Sequence, residues 1–183
     1  MLNPETRKPE LRRVKVYRGM SEETTAFTAE LWMDGQHIAY LKNAGRGGNN
    51  DIQHLTNNKG LNTRHEVATF VKWCDDYDLS PCCRAYTTYS DGVLCCKICY
   101  EAVSHGGIGA DYYITLMLQD YEEEQRVKRW CKKKTVIRLE GDKPGAYHTY
   151  KRAYDPEFAQ RIRDTEPTLL EIVNERYLEE GAK

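Results

Sequence analysis

Two runs that alternate apolar and polar residues, Phe27 to Met33 and Gln36 to Tyr40, meet at Asp34-Gly35. A two-residue Asp-Gly connection takes positive φ at both central positions and forms a type I′ turn, whose twist matches that of the strands it joins. No other feature restricts the fold as much, because so short a loop fixes register as well as pairing. The predicted register sets Met33 against Gln36, Leu31 against Ile38 and Ala29 against Tyr40, with Trp32 facing His37 on the other side. Val14 and Val16 alternate with Lys15 and Tyr17, so residues 11–42 read as antiparallel sheet.

Residues 43–50, Asn-Ala-Gly-Arg-Gly-Gly-Asn-Asn, are loop by composition. A helix is expected from Asn62 or Thr63 to about Tyr77, with Asn62 as N-cap and Val67, Phe70, Val71 and Cys74 at helical spacing. After Gly106-Gly107-Ile108-Gly109, a long helix is expected from about Asp111 to Lys133. It carries two apolar stripes, one of Ile114, Met117, Leu118 and Tyr121, the other of Tyr112, Tyr113, Leu116, Val127 and Trp130. A helix apolar on both sides is expected to be central. Thr135 to Leu139 reads as a strand, 141–145 as a turn and Ala146 to Arg152 as the returning strand. Asp155-Pro156 opens a short helix by the N-cap and N1-proline rule. Thr165 is expected to cap a last helix with Leu169, Leu170, Val173 and Tyr177 along one stripe.

The chain has 183 residues and seven cysteines, an odd number that suits a disulfide framework poorly. Its N-terminus lacks the apolar stretch of a secretory signal, and no window approaches the ~18 apolar residues of a membrane span. A cytoplasmic location is therefore expected, where clustered thiols more often hold metal than form disulfides. Cys82, Cys83, Cys96 and Cys99 give the spacing C-C-x12-C-x2-C. Four thiolates satisfy tetrahedral zinc, and the Ser90-Asp91-Gly92 turn between the pairs makes the segment a zinc-ribbon-like hairpin. So small a piece has little apolar surface, so a structural Zn2+ would supply its folding energy. Alternatives for the fourth ligand are Cys74 and His105, and Cys95 can replace its neighbour. A closed four-sulfur site leaves no open position for catalysis. Cys74 and Cys131 fall on helix faces and read as buried, unligated thiols.

With 27 Lys and Arg against 28 Asp and Glu, the net charge of −1 excludes only a chain that is basic throughout. It conceals the run 126–138, in which Arg126, Lys128, Arg129, Lys132, Lys133, Lys134 and Arg138 make seven cations in thirteen residues around Trp130. Such a segment can track a phosphate backbone or engage a partner. The plainer account is a helix C-terminus dressed with cations beside Glu122-Glu123-Glu124. Arg12, Arg13, Lys15 and Arg18 extend the patch if the first strand lies nearby. Gly45, Arg46, Gly47 and Gly48 resemble an anion cradle without the Walker A or dinucleotide pattern, and a glycine-rich connection explains them as well. His37 is the histidine to set beside that loop, with His54 as a further acid/base candidate. An excess of tyrosine, thirteen in all, also suits an interface.

Taken together, residues 21–31, the Asp-Gly hairpin, Lys42-Asn43-Ala44-Gly45-Arg46-Gly47-Gly48, the cysteine element and residues 131–139 resemble small accessory proteins encoded by tailed bacteriophages. That resemblance carries no catalytic residues. It implies a virus-encoded protein acting in the host cytoplasm on host machinery or nucleic acid.

The reading is an α+β fold. An antiparallel sheet from the N-terminal hairpin and the 135–152 strands packs on a long central helix, with an inserted zinc-ribbon-like hairpin. Residues 1–78 hold the sheet and first helix, 79–104 the insertion, and 105–183 the long helix, second hairpin and C-terminal helices, the last forming one compact domain with 1–78. The expected function is a zinc-containing binding protein for nucleic acid or a host protein, not an enzyme. The competing readings are an enzyme or sequestering protein for a small phosphorylated ligand at Gly45–Gly48, and a structural virion component.

Overall fold

The computed structural model describes residues 9–57, 60–76, 87–90, 93–96, 109–143 and 145–180, with 87–90 and 93–96 as backbone only. They form an α+β chain of two compact units, Met1–Leu118 and Gln119–Lys183.

The first unit is built on a four-stranded antiparallel sheet in the order β1-β2-β3-β4, comprising Pro9–Val16, Phe27–Met33, Gln36–Asn43 and Asp51–His54. The Asp-Gly turn forms as its chemistry requires, with Asp34 at φ 51° and Gly35 at 81°. Met33 pairs with Gln36 and Trp32 with His37, as expected, but the register then slips by one residue. Leu31 pairs with Ala39 and Ala29 with Leu41, so the expected Leu31–Ile38 and Ala29–Tyr40 pairs do not form. The cause is a bulge at Ile38. It lets both Ile38 and Ala39 reach the core, at 1% and 0% exposure, and turns Tyr40 outward at 52%. A second bulge sets Arg13 and Val14 opposite Ala29, with Arg13 at φ 50°. That insertion is why Leu11, Val14 and Val16, spaced three and then two apart, all pack on one face.

The helix α1, Arg64–Asp76, starts where Asn62 Oδ1 accepts the Arg64 N–H at 3.0 Å. Thr63 is buried, and its hydroxyl serves the sheet instead, donating to the Ile38 carbonyl and accepting the Leu55 N–H. Phe70, Trp73 and Cys74 of α1 join Ala110, Ile114 and Leu118 of α2, Gly109–Cys131, over the inner sheet residues Leu31, Ile38 and Leu41. In chain order between α1 and α2, β5 (Thr87–Ser90) and β6 (Val93–Cys96) pair antiparallel as a two-stranded sheet. Asn50 ties the glycine-rich loop to α2, its side-chain amide donating to the Asp111 carbonyl at 3.0 Å and to Thr115 Oγ1 at 3.3 Å.

The 135–152 strands do not extend the N-terminal sheet. They belong to a separate three-stranded sheet in the second unit, ordered β8-β7-β9, with β7 at Thr135–Leu139, β8 at His148–Tyr150 and β9 at Leu169–Ile172. Residues 169–172 were expected to be helical, but Leu169 and Ile172 pair with Leu139 and Ile137 of β7. The strand wins because it completes a core that an isolated helical stripe would leave open. Thr165 accordingly ends α3 (Pro156–Thr165), its hydroxyl returning to the Arg161 carbonyl, and the last helix α4 is shorter, Val173–Glu180. Asp155 caps α3 through the Phe158 N–H at 2.8 Å, with Pro156 following as expected. Burial lies on both faces of β7: Ile137 joins Ala159, Ile162 and Ile172, while Val136 joins Val127 and Val173. Among the described residues no helix is long and apolar enough to cross a membrane.

Candidate polyanion interface

The end of α2 is held by one side chain. Asn174, 3% exposed at the start of α4, donates its amide to the Cys131 and Lys134 carbonyls at 3.0 and 2.8 Å. Its Oδ1 accepts the Val136 N–H at 2.7 Å. The Trp130 carbonyl takes the Lys133 and Lys134 N–H groups at 2.9 and 2.8 Å. Orphan carbonyls are the usual need of a helix C-terminus, and here backbone and Asn174 meet it. Among the described residues, the Trp130 and Cys131 carbonyls are thus met without the ammonium groups of Lys132, Lys133 and Lys134.

Arg126, Arg129, Lys132 and Lys133 are exposed, and Lys134 is half-buried. The Arg126 guanidinium lies 5.3 Å from the Trp130 ring, while Trp130 packs beside Val127, Val136 and Val173. Lys128 is paired with Glu124 at 2.9 Å and stands 5.1 Å from the ring centroid of Tyr177. Arg138 lies apart on β7, opposite Glu171, with its Nε buried and without a hydrogen-bond partner. Lys128, Arg129 and Lys132 share a cavity of about 620 Å³ with Tyr154, Tyr177 and Leu178. Lys128 and Arg129 belong to the last turn of α2 and Lys132 follows it directly, four residues after Lys128. The two tyrosines and Leu178 come from segments some 22 to 50 residues downstream. No local pattern in the sequence announces them.

Ionisation in this groove follows its surroundings. Burial pushes the Cys131 thiol up against the opposing pull of Arg176, which keeps it protonated and a poor nucleophile. Burial and then the Glu124 charge raise the Tyr177 phenol. Burial raises Tyr154 too, reinforced by the 3.0 Å bond its hydroxyl donates to Glu175. A second cavity of about 660 Å³ lies along β9, α3 and α4. Its arginines are already matched, Arg163 to Glu175 at 2.5 Å and Arg176 to Glu171 at 2.6 Å.

The glycine loop is engaged internally. Gly45 donates its N–H to Asn43 Oδ1 at 2.8 Å, and its carbonyl accepts from the N–H groups of Glu22, Glu23 and Thr24 at 2.8, 3.0 and 3.4 Å. A carboxylate, Glu23, lies against Gly47, where a Cβ would come within 2.4 Å of Glu23 Oε2. Arg46 is exposed. His37 is not beside this loop. It sits next to the Asp-Gly turn, and the strand from there to Asn43 separates the two by roughly 20 Å. His54, opposite Ala39, lies toward the same distant end.

His37 instead belongs to an outer-face stack. Its ring is parallel to Trp32 at 5.4 Å and meets Tyr40 edge-on at 4.8 Å, while the Arg12 guanidinium lies 4.0 Å from the Trp32 ring. Beneath it, Glu30 is 7% exposed and accepts from Arg13 at 3.0 Å and the Trp32 indole at 3.1 Å. Burial opposes ionisation of Glu30, but the Trp32 indole, Arg13 and His37 outweigh it and hold the carboxyl below its ordinary range.

Of the predicted zinc ligands, Cys82, Cys83 and Cys99 lie outside the described residues, as does His105, and Cys96 is the last residue of β6, paired with Thr87. Cys74 is buried in the core of the first unit. Among the described residues no group of three or more His, Cys, Asp or Glu is placed to hold a metal. Comparison with protein-family models, curated protein sequences and solved structures finds no match to this chain.

Proposed function

We propose that this protein binds nucleic acid through the basic ridge at the end of α2 and the turn into β7, as a bacteriophage accessory protein in the host cytoplasm. The observation that carries the reading is the disposition of Arg126, Arg129, Lys132 and Lys133. They stand exposed at a helix end where the Trp130 carbonyl is met by the Lys133 and Lys134 N–H groups and the Cys131 carbonyl by Asn174. Favourable interaction with the helix dipole falls off within the last turn, yet the cations continue past Cys131 into the connecting turn. Of the acids Glu122 to Glu124, the described ion pairs commit Glu124 to Lys128. The remaining cations suit a polyanion, for which phosphate contacts supply affinity without sequence preference.

A structural zinc belongs to the same reading. Pairing of Thr87 with Cys96 brings the open ends of β5 and β6 together, and Cys83 precedes β5 by four residues while Cys99 follows β6 by three. That spacing suits a site of Cys82, Cys83, Cys96 and Cys99 at one end of the hairpin.

Fluorescence anisotropy with labelled DNA and RNA tests the ridge. Lys132→Glu with Lys133→Glu is expected to weaken binding at least tenfold on all sequences alike. An affinity unchanged in that variant would refute the ridge, and capture of a host protein with no nucleic acid bound would replace it with the protein-partner reading.

A further inference from the structure

We propose that the groove beside the ridge receives an unpaired base, which makes the partner a single-stranded nucleic acid; this rests on the ridge binding nucleic acid at all. One wall of the groove is the cationic end of α2 and the residue after it, with Lys128, Arg129 and Lys132. The other is aromatic and apolar: Tyr177 and Leu178 from α4, and Tyr154 just before α3. Phosphate-binding groups thus face a surface that suits a flat, weakly polar plate, and a single strand presents both within one nucleotide. A duplex presents phosphates and base edges but no free base face, because its bases are stacked and paired.

Three details favour a base over an isolated anion. Leu178 is 57% exposed in the groove, an apolar surface that free phosphate or sulfate would not use. The Tyr154 hydroxyl is taken by Glu175, so this residue offers its ring more than its hydroxyl. Tyr177 already draws the Lys128 ammonium to 5.1 Å from its centroid, which shows a ring reachable by a group in the groove. Glu124 pairs with Lys128 of the cationic wall at 2.9 Å. Lys128 is long and flexible enough to turn its ammonium from Glu124 toward phosphate.

The test is anisotropy at fixed salt with the full chain, using a labelled single strand and the same sequence as a duplex. The single strand is expected to bind more tightly. Tyr177→Ala is expected to lose roughly 5- to 150-fold on the single strand, the range for one stacked base, and to leave duplex binding in place. Tyr177→Phe should behave as the parent. Because Tyr177 also packs on the Val127 cluster, Leu178→Glu gives a second reading. It removes no buried group, and it should lower single-strand affinity more than duplex affinity by setting a carboxylate in the groove. Equal affinity for the two forms in the parent protein would overturn the proposal and leave the ridge reading intact. So would equal losses on both forms in Leu178→Glu. Binding of neither form would remove the ridge reading itself.

Discussion

Asn174→Ala removes the side chain that joins three segments of the second unit. Its amide and Oδ1 make hydrogen bonds of 3.0, 2.8 and 2.7 Å to the Cys131 carbonyl, the Lys134 carbonyl and the Val136 N–H. The residue is 3% exposed, so water cannot readily replace them. At about 0.5–1.5 kcal/mol net for each bond, the loss of three comes to about 1.5–4.5 kcal/mol. Native-state hydrogen exchange reads it locally. The Val136 and Ile137 amides should exchange about 100-fold faster for a loss near 3 kcal/mol, since 1.4 kcal/mol corresponds to tenfold. Asn174→Asp keeps the acceptor for Val136 but loses both donors and sets a buried charge against two carbonyls, so it should be no better than alanine. A change below about 0.5 kcal/mol in Asn174→Ala, or faster exchange confined to other strands, would refute the view that Asn174 secures the end of α2.

The glycine loop separates two costs. Gly45 has φ +81° and a Cβ there would lie 2.2 Å from the Met20 carbonyl oxygen, whereas Gly48 has φ +87° and open space. Chemical denaturation should show Gly48→Ala costing about 1–2 kcal/mol and Gly45→Ala clearly more; equal losses would contradict the close approach. Glu30, whose folded-state carboxyl is held below its ordinary range, stabilises the first unit fully above that range and loses its contribution as pH falls through the folded value. Glu30→Gln should therefore flatten the acid limb of the melting temperature plotted against pH, and an unaltered limb would count against the Arg13–Glu30–Trp32 arrangement. Leu31→Ala, at a side chain with 0% exposure, should cost about 2–5 kcal/mol in urea denaturation. Elemental analysis is expected to give about one zinc per chain and none after Cys96→Ser with Cys99→Ser, so a metal-free parent would remove the zinc.

Local chemistry was legible in the sequence where it acts locally. Asp34-Gly35 requires positive φ at both positions, Asp155-Pro156 starts a helix, and Thr135 to Leu139 is a strand; all three stand in the structure. What failed depends on tertiary burial. The bulge at Ile38 comes from the core's demand for two adjacent residues of one strand. The 169–172 segment has helical spacing but is claimed by the vacant edge of β7. The basic run was visible as composition, but composition could not separate capping lysines from uncommitted ones. That distinction rests on Asn174, some 40 residues later in the chain. Trp130 looked like the aromatic partner of the run. Trp130 and Tyr177 both pack on the Val127 cluster, but it is Tyr177, on a helix that follows a strand, that lines the groove.

The central claim is that the ridge meets phosphate groups. Its most direct test is the salt dependence of single-strand binding by the parent protein. Engagement of three to five phosphates predicts a linear fall of log K with log salt, with a slope of roughly −2 to −3.5. Lys132→Glu with Lys133→Glu should make that slope shallower. Binding that is indifferent to salt, or a slope left unchanged by the double reversal, would contradict the account.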